Sequence, residues 1–515
     1  MFRIVSRSSS RIISMTTDEG QHVFISYVRE DKERVDRLCE MLKAAQIPFW
    51  RDLKNLEPGD DWKLKIKEAI RKNSLVFLAC FSDNSRNRPR NNMNEELHLA
   101  VEEFRKMPPG ETWIIPIRFD DGSVPDWEIS SNRSLNDINR VDLFGNSYPE
   151  QAVALTNKIN KLMGANDNAA TTRAFVEESQ SQERPELLRI LTKEMIVNPA
   201  KQIELDDLIT QEVRSALEIL NDKGRHSSQV GSGTNEDQIR NLVKLANEDW
   251  EAVRPFCYSL AVAARWGTRD SLSPWVAGIK SIVSAAHKHH DGYEAINNIR
   301  HIAAVAVLAV AALACSAHSK WENFKILLAD PSVPENYHVG SSIGVLDATG
   351  YWKPFDTSSL LPTIFMYAET TGDDPIEILR KYDDRKIGKL YTPIPDWLHS
   401  VMKPIFKWSE EEHTQNYHRS EIMLGVVGQD IAIQDALMNG HNLEYARSNW
   451  FGRCTWVLRH ASKSPIEQMK SELLRDGSSW APLQAGLFGG NMDRASKAID
   501  SYNNDYHQLS RSRAF

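Results

Sequence analysis

The stretch HVFISY, which covers His22–Tyr27, decides the fold class of the first part of the chain. It is an apolar run of strand length, and it gives way to the charged segment REDKERV at Arg29. Further short apolar runs occupy residues 47–50, 74–81, 113–118 and 140–144. Amphipathic helical patterns separate these runs, so the sequence predicts an α/β domain with a doubly wound, mostly parallel, five-stranded sheet.

The predicted helices each place an apolar stripe at helical spacing. They cover residues 31–45, 61–72, 91–104 and 149–163. In a parallel sheet of this kind, ligands bind beyond the carboxyl ends of the strands, where the connecting loops converge. We therefore expect a functional site in the loops that follow the first three strands.

Changes in composition divide the 515 residues into predicted segments. We expect a disordered leader at 1–19, the α/β domain at 20–163, a polar linker at 164–185, a helical segment at 186–225, a flexible break at 226–237 and a mainly α-helical sensor or assembly domain at 238–505. Inside the last segment, residues 330–415 are richer in Pro, Gly and Asp, which predicts an irregular stretch before helices resume at Ser420.

One apolar run raises the question of a membrane span. The run IAAVAVLAVAALACSA at Ile302–Ala317 is uncharged, but it is shorter than the roughly 20 residues that cross a bilayer. We predict a helix buried on all sides within the helical region, and no membrane partner.

The bulk composition narrows the class of protein. A formal net charge of −8 argues against non-specific nucleic-acid binding as the main function of the protein. The five cysteines are an odd number and lie far apart, which predicts reduced, buried thiols in a cytoplasmic protein. No set of residues has the spacing of a metal site, so no metal is expected.

Taken in order, four stretches resemble a Toll/interleukin-1 receptor (TIR) domain of the soluble bacterial type. They are HVFISY at 22–27, PFWRDLKNLEPG at 48–59, SLVFLACFS at 74–82 and NNMNEELHLAVEEF at 91–104. The resemblance covers about residues 20–163 and implies a flavodoxin-like fold. No family is recognised in the C-terminal region.

The resemblance implies an enzyme that cleaves the nicotinamide–ribose bond of NAD+, with cyclisation of ADP-ribose as a further outcome. NAD+ would be the substrate, and no cofactor is implied. Other TIR domains would be partners on activation, in bacterial antiphage defence, with an unknown trigger bound by the C-terminal region. The alternative is a non-catalytic adaptor that acts in signal transduction through TIR–TIR association alone.

The helix at 91–104 offers two adjacent glutamates that can be separated by angle. At 100° per residue, Met93 and Leu97 belong to one apolar stripe, and Glu95 points almost opposite that stripe. Glu95 therefore suits a capping box begun by Asn92, or a favourable charge in the first turn. Glu96 lies about 80° from the stripe centre, where a carboxylate can face a cleft.

The resemblance places the essential glutamate of NAD-cleaving TIR domains at Glu96. A plain surface glutamate is the simpler alternative. Four residues earlier, many members of the family carry a tryptophan that stacks on the nicotinamide, and this chain has Asn92. Trp50 or Trp62 could replace that ring, although Trp62 also fits the apolar stripe of its own helix.

The remaining site residues follow from the resemblance one position at a time. Ser26, Tyr27 and Arg29 match the end of the first strand and its loop, which contact the nucleotide. The loop after the second strand closes the site and mediates packing between domains. Its matching residues are Asp52 and Glu57 for the substrate, and Pro58 and Gly59 for assembly.

Overall fold

A computed structural model gives the fold. It describes residues 22–512 except 46, 52–67, 71–73, 89–91, 109–110, 131–132, 146–147, 165–183, 227–232, 289–292, 336–339, 357, 359 and 462–463. The chain divides between Glu183 and Arg184 into two compact units, which are treated separately below. The predicted leader at 1–19 lies outside the described residues, as does nearly all of the predicted linker at 164–185.

The first unit is built around an all-parallel sheet of five strands. The strands are β1 (His22–Ser26), β2 (Phe49–Trp50), β3 (Ser74–Phe81), β4 (Ile114–Arg118) and β7 (Val141–Asp142). Across the sheet they lie in the order β2-β1-β3-β4-β7. A separate antiparallel pair, which the sequence did not predict, joins β5 (Glu128–Ser130) to β6 (Arg133–Ser134). The predicted doubly wound α/β sheet is confirmed.

Helices connect the strands of the first unit. They are α1 (Lys32–Ala44), α2 (Asp83–Arg86), α3 (Asn92–Phe104) and α4 (Tyr148–Leu162). Of the helix predicted at 61–72, residues 68–70 are described, and they are helical. The short helix α2 follows β3 directly because Ser82 caps it and forms a reciprocal capping box with Ser85.

One face of the sheet carries a row of stacked aromatic rings. Phe24 stacks on Trp50 at 4.9 Å between ring centroids and on Phe77 at 5.3 Å, and Phe77 stacks on Trp113 at 6.0 Å. The apolar stripe of α3, which includes Met93 and Leu97, packs in the same core cluster. Alternation along β1 places Ser26 on the same face as Phe24, so α3 lies over the carboxyl end of β1.

The second unit is largely helical, as predicted. Its helices are α5 (Arg184–Met195), α6 (Gln202–Leu220), α7 (Asn235–Trp266), α8 (Ser273–His287), α9 (Glu294–Ile299), α10 (His301–Ala317), α11 (Trp321–Phe324), α12 (Leu361–Thr371), α13 (Pro375–Asp383), α14 (Pro393–Phe406), α15 (Glu410–Asn439), α16 (Cys454–Val457), α17 (Pro465–Asp476), α18 (Ala481–Gln484) and α19 (Met492–Ser512). A π-helical turn, Lys325–Ala329, follows α11, and a short antiparallel pair joins β8 (Ser332–Pro334) to β9 (Ser342–Gly344).

Two expectations for this unit need correction. Helix α7 begins at Asn235, inside the segment predicted to be a flexible break, because Thr234 caps it in a capping box with Asp237. The stretch 330–415, predicted to be irregular, contains α12, α13 and α14. Each of these helices begins with a proline in its first turn, where the missing N–H has no helical partner to lose.

The Ala-rich helix α10 is the centre of the second unit. Every residue from His301 to Ser316 is buried. The continuous stretch Glu294–Ala317 is long and apolar enough to cross a membrane. Its most apolar 18-residue window has a mean hydropathy of 2.0, yet that window is 100% buried by the protein itself. Burial on all sides is the arrangement predicted for a core helix. All five cysteines are also buried, as predicted.

Candidate active site

The candidate site lies at the carboxyl ends of β1 and β3, two neighbouring strands near the middle of the sheet. Strand β2 lies on one side of β1, whereas β3 and β4 continue the sheet on the other. After β1 the chain forms β2 on one side of β1, and it then crosses over to form β3 on the other side. Parallel sheets bind ligands at the point where the order of the strands reverses in this way.

Glu96 and Ser26 meet at this edge. Ser26 is the last residue of β1 and is fully buried. Its hydroxyl donates a hydrogen bond of 2.5 Å to Glu96 Oε2. Glu96 on α3 is only 5% exposed, although carboxylates on helices are mostly solvated. A plain surface position is therefore excluded for Glu96. Its flanking position beside the apolar stripe agrees with the predicted angle.

Glu95 is exposed, as its predicted angle requires. Helix α3 begins at Asn92, which places Glu95 in the first turn, where a negative charge favours the helix dipole. The residue before Asn92 lies outside the described residues, so the capping box begun by Asn92 stays a prediction. Asn92 is exposed and has no aromatic ring to offer a substrate.

The other predicted site residues in the described part of the chain differ in burial. Tyr27 is half-buried, with the Arg51 guanidinium carbon 5.5 Å from its ring centroid, and Arg29 is exposed in the loop after β1. Trp50 is half-buried, and one face of its indole is occupied by Phe24. Only the opposite face of Trp50 could therefore accept a further planar group.

The predicted loop after the second strand lies outside the described residues. This applies to Asp52 and Glu57 for the substrate, to Pro58 and Gly59 for assembly, and to Trp62. Their roles stay predictions.

Arg51 is a buried residue near the site that the sequence reasoning passed over. It is 2% exposed, and its Nη1 donates to Asp36 Oδ1 at 2.5 Å and to Cys39 Sγ at 3.4 Å. Burial raises the pKa of the Cys39 thiol, and the Arg51 guanidinium offsets part of that rise. Arg51 therefore ties the end of β2 to α1.

A second carboxylate, Asp31, was also missed. It is 1% exposed and accepts hydrogen bonds from the Ser82 hydroxyl and from Asn84 Nδ2, the latter at 2.8 Å. These contacts tie the loop after β1 to the loop after β3. The only sequence signal is an aspartate in a charged run directly after a strand, which is too common to single out.

Asp120 connects the loop after β4 to this arrangement. It accepts a hydrogen bond from the backbone N–H of Asp83 at 2.7 Å and forms an ion pair with Arg86. Although burial opposes the shift, the hydrogen bonds from Arg86 and from backbone N–H groups lower the pKa of Asp120. The three loops at the carboxyl edge of the sheet are thus held together by two carboxylates.

The geometry defines what the site can do chemically. The Ser26 hydroxyl holds the Glu96 carboxylate in one orientation, at the same edge of the sheet as the connected loops after β1, β3 and β4. Such a group can accept a hydrogen bond from a substrate hydroxyl or stabilise a developing positive charge. Within the described residues, no group of three or more His, Cys, Asp or Glu could hold a metal ion.

Comparison with known proteins assigns the first unit to a family. A search of curated proteins found no match to the chain. Residues 23–156 match the family model described as TIR domain, and no family model matches the C-terminal region. The matched range contains the whole five-stranded sheet except its first residue, together with Ser26 and Glu96. The N-terminal part of this chain is therefore a TIR domain.

Proposed function

We propose that the TIR domain cleaves the nicotinamide–ribose bond of NAD+. The observation that carries the proposal is the buried Glu96 carboxylate, held by the Ser26 hydroxyl at the carboxyl edge of the sheet. Nicotinamide leaves as a neutral heterocycle, so the bond needs little help from a general acid. The barrier lies in the positive charge that develops on the ribose, and an oriented carboxylate stabilises that charge.

Ser26 acts in this proposal as a positioning residue. Its hydroxyl donates to Glu96 Oε2 and so holds the carboxylate that would face the ribose of the substrate. Tyr27 and Arg29 follow directly in the loop that would contact the nucleotide. Asn92 supplies no stacking ring, so the nicotinamide would rest on Trp50 or on Trp62, the two tryptophans that the sequence offers for this role.

The helical unit is proposed to control this activity in the cytoplasm through association. It is far larger than catalysis on NAD+ requires, and a polar linker transmits little torque. A trigger that brings copies together would raise the local concentration of TIR domains and complete their sites. NAD+ depletion, or a cyclised ADP-ribose signal, would then serve antiphage defence.

The test compares adjacent glutamates in the full-length protein. Glu96→Gln should abolish NAD+ consumption, because it removes the charge while keeping the shape of the side chain. Glu95→Gln is the matched control, since Glu95 is exposed on the same helical turn, and it should keep full turnover. NAD+ and nicotinamide are measured by chromatography, with and without a crowding agent, and circular dichroism checks the fold.

The adaptor alternative gives a different result in the same experiment. A protein that consumes no NAD+ under crowding, yet forms assemblies by light scattering, acts through TIR–TIR association alone. Equal turnover of Glu96→Gln and the unmodified protein would exclude Glu96 as the catalytic residue.

A further inference from the structure

The helical unit contains a cavity of about 640 Å³ that is lined by cations. Its wall includes Lys223 after α6, Lys280 on α8, Lys288 at the end of α8, and Arg300 between α9 and α10. None of the lining residues that the structure describes is an aspartate or glutamate. This concentration of positive charge stands out in a chain whose net charge is −8.

Arg300 is the most unusual of these cations because it is buried. It is 6% exposed, its Nη1 donates to the backbone oxygen of Leu220, and its buried Nε has no hydrogen-bond partner among the described residues. Buried polar groups are normally satisfied, so an unsatisfied guanidinium N–H beside a cavity indicates a missing acceptor.

The carboxylate whose charge acts on Arg300 does not supply that acceptor. Asp249 is engaged by Arg225 at 2.9 Å and by His226 Nε2 at 3.3 Å. Burial lowers the pKa of Arg300, the Asp249 carboxylate offsets only part of this, and the Arg225 charge lowers the pKa further. An anion in the cavity would offset this uncompensated charge.

Helix α8 presents donors toward the same space in a regular pattern. Lys280, Ser284 and Lys288 recur at intervals of four residues, which places them on one side of the helix. Ser281 adds a second hydroxyl to the lining. The helix dipole explains a lysine at the C-terminal end, such as Lys288, but not Lys280 about two turns earlier. In the described part of the chain, neither lysine forms an ion pair.

We propose that this cavity binds a small phosphate compound carrying two or more negative charges. A guanidinium, ammonium groups and hydroxyls are the donors that proteins use for phosphate oxygens. The volume lies within the roughly 300–1,000 Å³ of small-molecule sites, which favours a compact ligand over a long polymer. Among the lining residues that the structure describes, the apolar ones are aliphatic and none carries an aromatic ring, so recognition would rest on the phosphates and not on stacking with a base. The proposal is independent of NAD+ cleavage.

The test is calorimetric titration of the full-length protein with pyrophosphate, ADP and adenosine. Pyrophosphate and ADP should bind with affinities that fall as the salt concentration rises, and adenosine should not bind. Equal affinities for the first two would identify the phosphates alone as the ligand, whereas tighter binding of ADP would indicate a nucleotide held through its phosphates. Both outcomes support the proposal.

Variants place the binding in the cavity. Lys280→Gln and Lys288→Gln alter exposed side chains, so the fold should survive, and each should weaken binding by about tenfold. Lys244→Gln is the matched control, since Lys244 is 75% exposed and lies outside the cavity lining, and it should bind like the unmodified protein. Thermal melting verifies that each variant is folded.

Three results would overturn the proposal. The first is no binding of pyrophosphate or ADP at millimolar concentration. The second is unchanged affinity in both lysine variants, which would move any binding elsewhere on the protein. The third is binding of a short single-stranded oligonucleotide that pyrophosphate cannot displace, which would identify a nucleic-acid surface instead.

Discussion

The hydrogen bond between Ser26 and Glu96 allows a quantitative test of the site. Ser26→Ala removes a donor to an ionised acceptor, and such bonds contribute about 1.5–3 kcal/mol. Both side chains are buried, so solvent cannot replace the lost bond. If the bond also orients the carboxylate in the transition state, the same energy predicts a fall in kcat of about tenfold to a hundredfold.

Ser82→Ala is the matched control for this variant. Ser82 is another fully buried serine at the carboxyl edge of the sheet, and it donates to another buried carboxylate, Asp31. Both variants should lower the free energy of unfolding in urea by similar amounts, whereas only Ser26→Ala should reduce NAD+ turnover to this extent. Unchanged kcat in Ser26→Ala, or an equal loss in Ser82→Ala, would refute the positioning role of Ser26.

Two further predictions concern the helical unit. Burial, followed by the nearby Glu251 charge, raises the pKa of Glu369 to about 7, so this carboxyl destabilises the fold progressively as pH rises from about 4.5 through 7. Urea unfolding should show that Glu369→Gln is more stable than the unmodified protein at pH 8, by about 1–2 kcal/mol after allowance for the partial exposure of the side chain. At pH 4 the two proteins should be nearly equal in stability. Equal stability at pH 8 would contradict the raised pKa of Glu369. Gly425→Ala should destabilise the unit by about 1–3 kcal/mol because its Cβ would lie 2.3 Å from the Tyr502 ring, whereas Gly388→Ala, with open space around it, should not lower the melting temperature.

Local sequence patterns predicted most of the strands and helices of the TIR domain. The apolar runs located the three central strands because β1, β3 and β4 are mostly buried. Helical periodicity alone separated Glu95 from Glu96. The same angle placed Glu96 at the flank of the stripe, which is where Ser26 reaches it. The alternation of strands and helices also predicted that the sheet would be parallel.

Features that depend on distant partners were not predictable. Asp31 acquires its significance from Ser82, which is 51 positions away. Arg51 is buried only because Asp36 and Cys39 on α1 receive its guanidinium. In the helical unit, prolines that suggested irregular chain instead begin helices, because proline has opposite effects at the first turn and in the interior. Arg300 carries no local signal for burial.

The short outer strands of the sheet restrict how copies of the TIR domain could associate. Strands β2 and β7, as far as the structure describes them, contain two residues each. In the described residues an incoming strand would find few unpaired backbone groups at either margin, which disfavours extension of the sheet by backbone pairing. A polymer of these domains would then depend mainly on side chains of loops and helices. Its formation should then be sensitive to single surface substitutions, a property that amyloid-like growth through backbone pairing would lack.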